Sequence, residues 1–175
     1  MTASPSLPRR AFLGKAALGL AATQLTSIVP AFAQSASTGG ARRLEPLKSI
    51  DAGSLRIGYY EAGPADGAPV ILLHGWPHDI HMFVDVAPQL AAAGFRVIVP
   101  YLRGYGTTRF LSADTPRNGQ QSAVAVDIIA LMDALKIPVA TVAGCDWGAR
   151  TACIMAALWP EPVKALVSVS GYLIG

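Results

Sequence analysis

The sequence predicts an α/β protein, a mostly parallel sheet flanked by helices. Short apolar runs of strand length at 70–73, 95–99, 140–143 and 163–169 are separated by longer helix-compatible stretches, the alternation that builds a sheet covered on both faces. The composition agrees: 52% of the 175 residues are hydrophobic and 14% charged. That is enough apolar surface for a core and too little charge for a disordered segment. The length suits one domain.

The first element is an address. Arg9-Arg10-Ala11-Phe12-Leu13-Gly14-Lys15 precedes the apolar stretch 16–22, and Pro30-Ala31-Phe32-Ala33 offers an A-x-A site before Gln34. A charged start, a short apolar middle and a small-residue end make up a removable signal peptide. The paired arginines followed by Phe-Leu resemble a twin-arginine (Tat) signal, which a receptor reads. Pro8 and Gly14 depart from the usual form of that motif. The other reading is a membrane anchor, but Thr23, Gln24, Thr26 and Ser27 interrupt the run, so no stable anchor is expected. Export, to the periplasm or the medium, with cleavage near Ala33 and transient contact with the Tat machinery is the expectation. Residues 34–47 are read as a linker, with small polar residues at 34–41, and 48–175 as the folded core.

Within that core, 48–51 and 55–61 flank Ala52-Gly53 as a hairpin. Residues 70–73 read as a strand buried on both faces. A helix over 81–93 ends at Gly94, a natural cap, and Pro100 stops the strand at 95–99. Apolar residues at Val124, Ile128, Leu131 and Leu135 mark a helix over 120–135, closed by Pro138. A strand at 140–143, a helix over 147–159 ended by Pro160, and a strand at 163–169 complete the series.

Ligands of such sheets sit beyond the carboxyl ends of the strands. Three segments occupy those places: His74-Gly75-Trp76-Pro77, Tyr101-Leu102-Arg103-Gly104-Tyr105-Gly106 and Gly144-Cys145-Asp146-Trp147-Gly148-Ala149-Arg150. The last has glycines two before and two after Asp146, the layout of a nucleophile elbow, with Asp where Ser is common. Asp146 could instead be the N-cap of the following helix. The flanking glycines and the companion segments favour the nucleophile.

These three motifs, in this order and spacing, resemble the Asp-nucleophile branch of the α/β-hydrolase superfamily, the epoxide hydrolases and haloalkane dehalogenases. The likeness covers roughly 50–175, the N-terminal half of that fold. It implies that Asp146 attacks an electrophilic sp3 carbon of a small molecule, an epoxide or an organohalide, forming an alkyl-enzyme ester. It also implies an oxyanion hole made by the backbone N–H groups of Trp76 and Trp147, supported by a loop of His74, Gly75 and Pro77. The indoles of Trp76 and Trp147 read either as packed aromatics or as leaving-group contacts. Arg150 reads either as an ion-pair partner or as a contact to substrate, since a similar Arg in fluoroacetate-type dehalogenases holds a carboxylate. That family carries Arg where this chain has Trp147, which weakens the haloacid reading. Epoxide hydrolases usually have His where this chain has Cys145. Haloalkane dehalogenases often have Asn at the place of Trp76, so His-Gly-Trp-Pro leans to the epoxide branch.

Other partners and groups are not expected. Without residues 1–33, whose charges are Arg9, Arg10 and Lys15, the remaining 142 residues carry 11 basic and 11 acidic side chains, leaving no basic face for nucleic acid. No cofactor or metal is called for. His74 reads as a loop brace, His78 and His81 as surface residues, and Arg103 and Arg109 as loop fasteners. Cys145 and Cys153 are expected buried and too far apart to bridge. By the resemblance, the general base and general acid are absent from this chain. The expectation is a fragment of an exported enzyme that would stall at the ester. The alternatives are a dehalogenase or an inactive chain lacking the catalytic His. Residues 166–169 should form an exposed apolar edge.

Overall fold

The computed structural model describes residues 42–171; the expected signal segment and linker residues 34–41 lie outside them. The elements are β1 (Leu47–Ala52), β2 (Leu55–Ala62), β3 (Pro69–Leu73), a 3-10 turn (Ile80–Phe83), α1 (Val86–Ala92), β4 (Arg96–Pro100), β5 (Arg109–Phe110), α2 (Gln121–Ala134), β6 (Ala140–Cys145), α3 (Trp147–Leu158) and β7 (Val163–Val169). The expected hairpin is present as β1 and β2. The helix expected over 81–93 is broken: Asp79 caps the 3-10 turn through the His81 N–H, and α1 starts only at Val86. Gly94 follows α1 with φ +89°, as a C-terminal glycine should. The two-residue strand β5 was not expected; it is too short to carry a periodic signal. Leu44 is buried and β1 starts at Leu47, so the folded unit begins ahead of the expected residue 48.

The strands run in the order β1-β2-β4-β3-β6-β7, with β5 beside β2. β4, β3, β6 and β7 are mutually parallel, and β1, β2 and β5 add antiparallel pairings. Alternation along β3 explains the two-sided burial. Ile71 and Leu73 face a core shared with Ile128 and Leu131 of α2 and Met155 of α3. Val70 and Leu72 face Ile80, Ala87, Val97 and Val99. Each such aliphatic side chain contributes about 1.5–3 kcal/mol on burial, which is why these runs carry no polar residue.

The chain leaves β3 first toward β4 and later toward β6, so the strand order reverses at β3. Crevices at such reversals lie beyond the carboxyl ends of the strands. The three motif loops meet there. β7 pairs only with β6 among the described residues, and its Leu166, Val167 and Val169 are exposed, as expected for an apolar edge.

Candidate active site

Asp146 stands between the end of β6 and the first turn of α3 with φ +54° and ψ −113°. This is a backbone conformation that costs a non-glycine residue of order 1–3 kcal/mol. Its neighbours permit the turn. A Cβ on Gly144 would come within 2.2 Å of the Gly148 backbone, and one on Gly148 within 2.0 Å of the Leu73 carbonyl oxygen. Helix α3 can therefore press onto β6 and β3 only because both positions are glycine. The Asp146 N–H donates to the Val169 carbonyl at 2.9 Å, tying the elbow to β7.

The carboxylate of Asp146 caps nothing in α3. Instead its Oδ1 accepts a hydrogen bond from the Trp76 backbone N–H at 3.1 Å. Asp146 therefore does not have the contact of a helix cap, which would accept from the second or third N–H of its own helix. Gly75 makes the approach possible: a Cβ there would lie 2.6 Å from Asp146 Cβ and 2.7 Å from the Cys145 carbonyl oxygen. The Trp147 N–H makes no hydrogen bond to the carboxylate, and bonds of this kind often form only as the reaction proceeds. Oδ2 faces Arg150, whose Nη2 lies 3.9 Å away, and the Arg150 guanidinium carbon is 5.5 Å from the centre of the Trp147 ring. Arg150 thus has the ion-pair geometry of the plainer reading, and it is not among the residues lining the adjacent cavity.

That cavity, of about 260 Å³, is walled by Trp76, Leu102, Tyr105, Val124 and Trp147, with Arg103 and Gly119 at one side. Neither indole is a core aromatic: Trp76 is 68% exposed and Trp147 half-buried. Both follow the ends of strands, where no layer of the described residues covers them.

His74 is a brace. It is fully buried, and its Nε2 accepts from the Leu102 N–H at 3.1 Å. The proton therefore belongs on Nδ1, 3.3 Å from the Gly75 carbonyl. Burial holds its pKa below the ordinary 6.5, consistent with a neutral ring joining two motif loops. Tyr105 packs edge-on against it, ring centres 4.6 Å apart. Pro77 follows a cis bond to Trp76. His78 is exposed, whereas His81 is half-buried and bonded to Asp79 at 2.9 Å. Both cysteines are free; Cys153 is buried, but Cys145 is only half-buried because it sits at the open end of β6.

Arg103 and Arg109 fasten the loop after β4 as expected. Arg109 donates to the Gly106 and Thr108 carbonyls. Arg103 makes a bidentate pair with Asp127 at 2.6 and 2.7 Å. Sequence reasoning missed Asp127, Tyr105 and Gly119. The signal for Asp127 was a charge on the same helical face as Val124, Ile128 and Leu131. Burial pushes its carboxyl pKa up, and Arg103 draws it partly back. Among the described residues, no group of three or more His, Cys, Asp or Glu could hold a metal ion, and no helix is long and apolar enough to cross a membrane.

A largely parallel sheet with a strained turn between a strand and the helix after it has the layout of an α/β-hydrolase fold. The chain belongs to the α/β-hydrolase fold family, whose model matches residues 68–174. A haloalkane dehalogenase of Mycobacterium marinum is 32% identical over 131 residues, which are 73% of this chain and 42% of that protein. An epoxide hydrolase of Caballeronia sordidicola is 36% identical over 120 residues, 67% of this chain and 34% of the relative. Among solved structures, a candidate epoxide hydrolase from Klebsiella pneumoniae matches with a TM-score of 0.74 and 66% identity, over 78% of this chain and 45% of that one. The chain therefore spans less than half the length of these relatives.

Proposed function

We propose that this chain carries the nucleophile portion of an epoxide hydrolase-like enzyme, in which Asp146 forms an alkyl-enzyme ester with a small-molecule epoxide. The observation that carries this reading is the 3.1 Å bond from the Trp76 N–H to Asp146 Oδ1. It supports a division of labour between the two oxygens. Oδ2 is the attacking atom; it forms a bond to the epoxide carbon as the C–O bond breaks and the departing oxygen takes the electron pair. Oδ1 becomes the ester carbonyl oxygen. When water later adds to that carbonyl, the negative charge develops on Oδ1, where the Trp76 donor already points, and the Trp147 N–H is the second donor.

His74 does not serve as the base that activates this water, because it is buried, bonded on both nitrogens and neutral. The reading is tested by incubating the protein with an epoxide and following epoxide loss and the mass of the peptide containing Asp146. Asp146→Asn should abolish both the loss and the adduct; normal epoxide consumption by that variant would end the proposal.

The similarity to a haloalkane dehalogenase favours a second reading, attack on a carbon–halogen carbon. Halide release from a haloalkane without epoxide consumption would select it. We further propose that residues 1–33 are a Tat-type export signal cleaved after Ala33, that 34–47 link it to the hydrolase core, and that the mature protein acts outside the cytoplasm. N-terminal sequencing of protein from the exported fraction should begin at Gln34; an intact N-terminus on membrane-bound protein would overturn this.

A further inference from the structure

One side chain lines two cavities. Arg103 lines the 260 Å³ cavity beside Asp146, together with Tyr105, Val124 and Trp147. It also lines a second cavity of about 260 Å³ that reaches Gly53, Ser54, Thr115, Pro116 and Ala130. Its guanidinium is locked in place. Nε and Nη2 donate to the two oxygens of Asp127, Nη1 to the Asn118 carbonyl at 2.8 Å, and Nη2 also to the Ala123 carbonyl at 3.3 Å. Asp127 is almost completely buried on α2. The fork thus joins the loop after β4, the segment before α2 and α2 itself at one point.

We infer that Arg103, held by Asp127, is the partition that limits how large a substituent the electrophilic carbon can carry; this rests on the Asp146 reading above. The nucleophile's cavity is apolar and lies just below the roughly 300–1,000 Å³ typical of drug-sized ligands. It suits a short alkyl group. Joined to the second cavity, its volume would about double and enter that range. A planar, multiply bonded guanidinium is a rigid wall, whereas a Lys in its place would offer one mobile point charge.

The experiment measures the initial consumption of two epoxides, 1,2-epoxypropane and 2-(2-naphthyl)oxirane, by the whole chain and its variants. The wild-type protein should consume the naphthyl compound about tenfold more slowly, the scale on which pocket fit discriminates. The double variant Arg103→Met with Asp127→Leu removes the fork without leaving a buried unpaired charge. It should raise the naphthyl-to-propyl rate ratio about tenfold. Arg103→Lys, which cannot bridge Asp127 and Asn118 together, should raise it about threefold. A purely structural role would lower both rates together and leave the ratio unmoved. Wild-type rates that already agree within about threefold, or a ratio within about twofold of wild type in a folded variant, overturn the partition. The Asp146→Asn variant keeps the two ideas apart. If it consumes either epoxide like wild type, the nucleophile reading itself fails.

Discussion

Replacing Gly75 by Ala tests the site with the smallest possible change. Gly75 has no left-handed φ, so the substitution introduces volume and not backbone strain. The new Cβ would lie 2.6 Å from Asp146 Cβ, 2.7 Å from the Cys145 carbonyl oxygen and 3.0 Å from Asp146 Oδ1. Ordinary carbon contacts are about 3.5–4.0 Å, so the two segments must part by about 1 Å. The two closest atoms, Asp146 Cβ and the Cys145 carbonyl oxygen, cannot swing aside as the far end of a side chain could. A retreat of that size stretches the 3.1 Å bond from Trp76 to Asp146 beyond hydrogen-bonding range. Overpacking of this kind costs about 1–3 kcal/mol of stability. Loss of one oxyanion donor costs about 2.7–4 kcal/mol of transition-state stabilisation, or about 10²–10³ in rate. The assay is a denaturant melt paired with the rate at which the alkyl-enzyme ester is hydrolysed in the full-length enzyme, followed by the mass of the peptide containing Asp146, because the oxyanion forms on Oδ1 only in that step. Gly119→Ala is the stability control, because a Cβ there meets nothing within 4 Å. If Gly75→Ala melts like wild type and reacts within about threefold of it, the close approach has no chemical role and the oxyanion argument is wrong.

Three further outcomes follow from the same geometry. Asp146→Gly and Asp146→Ala both lose the Trp76 hydrogen bond and ester formation, but the Gly variant should be the more stable of the two by roughly 1 kcal/mol, since relief of ~1–3 kcal/mol of strain exceeds the ~0.5–1 kcal/mol entropy cost of glycine; a Gly variant no more stable than the Ala variant in a urea melt would contradict the strained elbow. Because burial holds His74 below its ordinary pKa of 6.5, the unfolded chain takes up this proton first as the pH falls, so the His74 contribution to stability is present above about 6.5 and declines below it. Urea midpoints at about pH 7.5 and 5.5 should differ in that sense, and His74→Asn should remove that part of the difference at a cost of about 1–3 kcal/mol from its buried hydrogen bonds. Val167→Lys on the exposed edge strand β7 should reduce self-association of the 175-residue chain, measured by light scattering; unchanged scattering would mean that this edge is not the contact.

The parts of this molecule that were legible in its sequence are those governed by local pattern. Val70 to Leu73 could only be a strand buried on both faces, and Gly144-x-Asp146-x-Gly148 announced its turn because two missing Cβ atoms leave a signature in composition. The helix boundary at 81–93 failed for a local reason as well. Asp79 accepts from the His81 N–H and takes over the start of the segment as a 3-10 turn, a side-chain competition that apolar spacing does not register. Leu44 was hidden because a lone buried anchor has no period. The Arg103–Asp127 pair was half legible, its Arg read as a fastener but its partner 24 residues away and known only through the fold.

The same distinction runs through the candidate site. Sequence pattern placed Asp146 on its elbow but left two roles open, helix cap or nucleophile, because both need an acid at the start of α3. What argues against the cap is which N–H the carboxylate accepts from, and the Trp76 donor is 70 residues away in the chain. That donor is in reach only because Gly75 has no side chain, because His74 pins its loop to Leu102, and because β3 and β6 are parallel neighbours whose ends come level. The decisive contact is thus a consequence of sheet order. It follows that substitutions in the loop after β3 should affect the reactivity of Asp146 as strongly as substitutions beside it in sequence.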